Sequence, residues 1–156
     1  TALPAISALG YDGIEVCYKW ALDQGPDFKD RCADAGLDLA FIVFTDGPVA
    51  PGCTSGLFGG PYPGYTKPSD GGETDKAAVV STHLQVFKEQ VEGCYANFEP
   101  AYVNSHSCKD YFTEHMAHTF FSEALKFQAS TGLDCYHEGH RKRWLHSPWT
   151  ARDCKY

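Results

Sequence analysis

Basic residues are in short supply. The chain has 13 Lys and Arg against 20 Asp and Glu, for a net charge of −7. Broad nucleic-acid binding needs a basic face, so no nucleic-acid partner is expected. The mild acidity asks for no explanation beyond solubility. No apolar run approaches the roughly 20 residues of a membrane span. The longest, residues 37–44, is strand-sized and interrupted by Asp38. The seven cysteines contain no CxxC pair, which speaks against a structural zinc site. An odd number in a chain of this length is not a disulfide framework. Cys17, Cys32, Cys53, Cys94, Cys108, Cys135 and Cys154 therefore read as mostly reduced thiols, and the expected location is intracellular, in the cytoplasm or an organelle interior. There is no GxGxxG or P-loop fingerprint for phosphates, and no HExxH. Because the chain starts at Thr1, the lack of a signal peptide carries little weight.

What is present suits one globular domain over residues 1–156, with 43% hydrophobic and 21% charged residues. One pattern recurs: an Ala-rich amphipathic stretch, a Gly, an apolar residue, an Asp, then a strand-like run. It appears at Gly10-Tyr11-Asp12, Gly36-Leu37-Asp38 and Gly132-Leu133-Asp134. Gly suits the position just past a helix, where the backbone turns left-handed. The β-branched and aromatic residues that follow suit buried strands. A fourth helix is predicted over 77–97, with Leu84, Phe87, Val91 and Tyr95 at helical spacing and Pro100 as its stop. A fifth spans 114–129, and Ser147-Pro148-Trp149 opens a short last one. Strands are expected near 13–18, 38–45, 101–107 and 133–138. Helices alternating with buried strands give an α/β fold with a parallel sheet. The Gly/Pro-rich stretch of about 45–74 reads as a long loop, either a plain insertion or a lid over a pocket mouth.

In parallel α/β folds, ligands bind beyond the carboxyl ends of the strands. That rule selects Glu15 on the first strand, Thr45-Asp46 after the second, Asn104-Ser105-His106-Ser107 on the third and His137-Glu138-Gly139-His140-Arg141 on the fourth. Glu138 and His140 share one face if the strand continues. A carboxylate beside an imidazole suits a divalent metal, and a carboxylate alone can act as a general base. The Arg141-Lys142-Arg143 run could hold an anion. The plainer alternative is a solvated strand end. His106 could ligate a metal or move a proton, or could simply be a hydrogen-bonded structural residue. Glu15 is either partnered for function or exposed. His115 and His118 read as surface residues, and Cys108 as a plain thiol.

Three segments in order carry a resemblance: Leu9-Gly10-Tyr11-Asp12-Gly13-Ile14-Glu15, then Val103-Asn104-Ser105-His106-Ser107 with Lys109-Asp110-Tyr111-Phe112, then His137-Glu138-Gly139-His140-Arg141 with Ser147-Pro148-Trp149. Together they resemble the xylose-isomerase-like TIM barrels, the superfamily of sugar-phosphate isomerases and epimerases and of AP-endonuclease-like enzymes. The resemblance implies a partial (β/α)₈ barrel in which the four strands correspond to barrel strands two to five. It also implies a divalent metal (Mn, Mg or Zn) at the carboxyl face and proton transfer at the carbon next to a sugar carbonyl. Carried over residue by residue, Glu138 becomes a metal ligand and catalytic carboxylate, and His106 a catalytic residue facing the site. His140, Arg141, Asn104 and Glu15 become substrate-binding residues. The sequence departs from the family at Cys108 and Gly139, where Gly and Thr are usual. A typical barrel needs around 250 residues, and three of the four expected metal ligands would lie on strands beyond Tyr156.

Two functions are therefore expected in competition. One is a divalent-metal-dependent sugar or sugar-phosphate isomerase or epimerase, here as part of a longer chain. The other is a non-catalytic half-barrel, a structural or binding subunit whose open sheet is covered by a protein partner or by a second copy of itself, with the Trp20, Phe41 and Phe44 regions as candidate contacts. A DNA-repair endonuclease of the same superfamily fits poorly with the net charge and the sparse histidines.

Overall fold

The structure is a computed structural model that describes residues 2–45, 76–109 and 112–139. The loop expected at 45–74 lies outside the described residues except for Thr45, as do His140, Arg141, the rest of the basic run and the helix expected after Ser147. Among the described residues nine elements follow one another: α1 (Leu3–Ala8), β1 (Gly13–Cys17), α2 (Tyr18–Asp23), α3 (Phe28–Asp34), β2 (Asp38–Phe44), α4 (Lys76–Phe98), β3 (Tyr102–His106), α5 (Glu114–Thr131) and β4 (Tyr136–His137). The four strands form one sheet in the order β1-β2-β3-β4, with every neighbouring pair parallel. The protein is thus α/β, an all-parallel four-stranded sheet flanked by helices.

Local chemistry explains where the elements stop. Gly36 and Gly132 take positive φ at the ends of α3 and α5, and their amides return to Ala33 O and Gln128 O. These bonds satisfy carbonyls that the helix itself leaves open. The Thr113 hydroxyl accepts from the Met116 amide and starts α5. Tyr18, expected to end the first strand, instead opens α2. Its ring lies edge-on to Phe41 and Phe98, so the chain turns to bury it.

Register sorts the strand side chains onto two faces. Phe41, Val43, Val103, Ser105 and His137 point toward α4 and α5, where Phe87, Val91, Cys94, Phe120 and Phe127 complete the core. Glu15, Ala40, Ile42, Tyr102, Asn104, His106, Tyr136 and Glu138 belong to the other face. Its amino-terminal half is the exposed part, with Glu15, Tyr102 and Tyr136 all reaching solvent. Two contacts expected at a partner interface need correction. Phe41 is fully buried beneath the helices, and Phe44 is buried edge-on to the His106 ring. Trp20 alone of the three is exposed. No helix among the described residues is long and apolar enough to cross a membrane.

Candidate functional site

The last residue of β3, the residue after β4 and the middle of β3 meet at the carboxyl edge of the sheet. β4 pairs through Asn104 with Tyr136 and Ser105 with His137, and the Glu138 amide adds a bond to Ser105 O at 3.0 Å. That pairing aims the Glu138 side chain at the same face as Asn104 and His106. Asn104 Nδ2 donates to Glu138 Oε2 at 2.7 Å, and His106 Nε2 lies 3.0 Å from the same oxygen. Two donors on one oxygen hold the carboxylate in a single orientation. The His106 side chain is 8% exposed and that of Glu138 is 40% exposed. The imidazole is therefore fixed by packing, while the carboxylate is only partly covered. Phe44, the register partner of His106, braces the imidazole ring with centroids 4.8 Å apart.

Behind this pair, on the helix side of the sheet, lies a buried polar chain. Ser105 Oγ and Ser107 Oγ are 2.9 Å apart, and Ser107 Oγ is 2.6 Å from His137 Nδ1. His137 stacks on Phe87 and meets Phe120 and Phe121 edge-on. Burial alone pushes its imidazole down from the ordinary 6.5 to about 4, so at neutral pH it is uncharged. A second polar contact ties the strand ends to α4. Thr45 Oγ1 is 2.9 Å from His83 Nδ1 and accepts from the Cys108 amide at 2.8 Å. Cys108 takes a positive φ of 60° there, which is uncommon for a residue with a side chain.

Of the residues predicted for the site, the structure brings together Glu138, His106 and Asn104. Glu15 sits apart. Its register neighbours across the sheet are Ala40 and then Tyr102, whose hydroxyl feels its negative charge. Burial first, and this carboxylate second, hold Tyr102 above its ordinary value of 10. His140 and Arg141 lie outside the described residues. His115 and His118 are exposed on α5, as expected. Sequence reasoning missed His83, although its spacing from Val79, Val80 and Phe87 places it on the buried stripe of α4. It also passed over the partnership of Ser105 and Ser107, two residues apart and so on one face of the strand.

No family model matches this chain, and no curated protein matches it.

A divalent metal makes demands that the donors present meet only in part. Glu138 and His106 are right in kind, one hard oxygen and one imidazole nitrogen. They are too few, since a cation such as Mg²⁺ or Mn²⁺ seeks about six ligands. Among the described residues no group of three or more His, Cys, Asp or Glu side chains is placed to hold one. These residues alone do not make a metal site, and the chemistry below is that of the side chains.

Proposed function

We propose that the protein is a sugar or sugar-phosphate isomerase or epimerase of the xylose-isomerase-like kind, with its four strands forming part of a (β/α)₈ barrel. The observation that carries this reading is the oriented, half-exposed Glu138 carboxylate at the carboxyl edge of a parallel sheet, held by Asn104 and His106. Glu138 removes the proton from the carbon next to the sugar carbonyl and leaves an enediol. The same group returns the proton to the former carbonyl carbon for isomerisation, while epimerisation calls in addition for a second acid that protonates the opposite face of the enediol. His106 handles the proton of the adjacent substrate oxygen, and Asn104 keeps the carboxylate aimed. The divalent metal expected from the resemblance belongs to the proposal and calls for donors beyond the described residues. His140 and Arg141 keep their proposed place at the substrate mouth.

The test is an assay of aldose–ketose and epimer interconversion over a panel of sugars and sugar phosphates, with and without added Mn²⁺ or Mg²⁺. Glu138→Gln should lower kcat by about 10²–10⁴-fold, the usual contribution of a positioned acid–base group. Turnover unchanged in Glu138→Gln would sink the assignment.

A second reading rests on a different observation. Tyr102 and Tyr136, 6.3 Å apart, and Glu15 lie exposed on the sheet face opposite the helices. A face of that composition suits a non-catalytic half-barrel covered by a protein partner or a second copy of the chain.

A further inference from the structure

β4 is two residues long, and of those two Tyr136 is 63% exposed. The ladder that carries Glu138 is therefore short, this pair plus the bond from the Glu138 amide to Ser105 O. The neighbouring His137 is held far more firmly, stacked on Phe87 at 5.4 Å and 25°, flanked by Phe121 at 5.1 Å and bonded to Ser107 at 2.6 Å. Adjacent strand residues point to opposite faces. Whatever pins His137 into the helix layer must therefore turn Glu138 toward Asn104 and His106.

We infer that His137, locked by Ser107, is the positioning residue that sets the Glu138 carboxylate against His106. The inference rests on the site reading above. The choice of residue type supports it. His137 Nε2 is buried with no hydrogen-bond partner among the described residues, a cost that a ring without nitrogens would avoid. Phenylalanine would fill the same aromatic pocket at no such cost. What histidine adds is the bond from Nδ1 to Ser107, itself steadied by Ser105. That bond stops the ring, and hence the strand end, from rotating.

The test reads the His106 imidazole nitrogens by NMR in the ¹⁵N-labelled protein at fixed neutral pH, together with Tm. Glu138→Gln first defines the signal of an unpaired His106. If it leaves the His106 signals unchanged, the pairing itself is absent, and both the site reading and this inference fall. With the pairing established, His137→Phe and Ser107→Ala should move the His106 signals to the Glu138→Gln position while Tm stays near the wild-type value. His137→Asn, which restores a polar atom near the Nδ1 position, should recover the paired signal. A folded His137→Phe protein with wild-type His106 signals would overturn the inference. If that variant does not fold, Ser107→Ala decides by the same criterion.

Discussion

Glu138 and His137 are neighbours in the chain with opposite surroundings, one half-exposed and hydrogen-bonded to charge-stabilising donors, the other sealed among aromatic rings. The difference has a measurable consequence for stability. A histidine whose folded value is depressed resists the proton that the unfolded chain accepts readily. Above pH 6.5 neither state is protonated and the titration of His137 takes nothing from stability. As the pH falls from 6.5 toward 4, the unfolded state gains the proton first, and stability declines through that window. The full effect is on the order of 3 kcal/mol. Urea denaturation at pH 7 and pH 4.5 should show this loss in the wild type and a clearly smaller one in His137→Phe. Equal losses in the two proteins would mean that His137 is not the group responsible. Glu138 was legible from sequence because a carboxylate at a strand end stands out. The polarity of His137 was equally visible, but which face it took was fixed only by the register of β3 with β4.

At the scale of elements, the helix stops were readable because glycine and proline act locally. Gly36 and Gly132 end helices where expected, and α5 starts behind Thr113. Thr113→Ala removes the hydroxyl that accepts from Met116 and should cost about 1 kcal/mol, read by thermal or chemical denaturation. No change would show that the cap contributes nothing. Tyr18 was misplaced because its location depends on a distant partner. Its ring packs against Phe41 and Phe98, and its hydroxyl lies against Gly93 on α4. A Cβ at Gly93 would collide with that hydroxyl and stand 2.8 Å from Tyr18 Cζ. The ring is wedged and cannot swing aside, so Gly93→Ala should destabilise by about 1–3 kcal/mol. Gly93→Ala combined with Tyr18→Ala should relieve part of that strain, and strictly additive losses would contradict the contact. Such long-range packing leaves no local signature in the sequence. His83 is the intermediate case, since the helical spacing was there to be read and only its partner Thr45 was not.

For the whole molecule, alternation of helices and strands made the parallel sheet legible, and the structure gives the strand order β1-β2-β3-β4. Whether a partner covers the face bearing Glu15, Tyr102 and Tyr136 is something that chain periodicity does not encode. If a second copy covers it, sedimentation velocity should show a dimer, and Tyr136→Lys should shift the population toward monomer. A monomer at all accessible concentrations would exclude the self-paired arrangement. Proton abstraction by the Glu138 carboxylate is read by solvent exchange. The protein is incubated in D₂O with a panel of sugars and sugar phosphates and added Mn²⁺ or Mg²⁺, and deuterium at the carbon next to the carbonyl is followed by ¹H NMR. Incorporation is expected with the wild-type protein, and its loss in Glu138→Gln. Incorporation that survives the substitution, or none with any member of the panel, would contradict this role for Glu138.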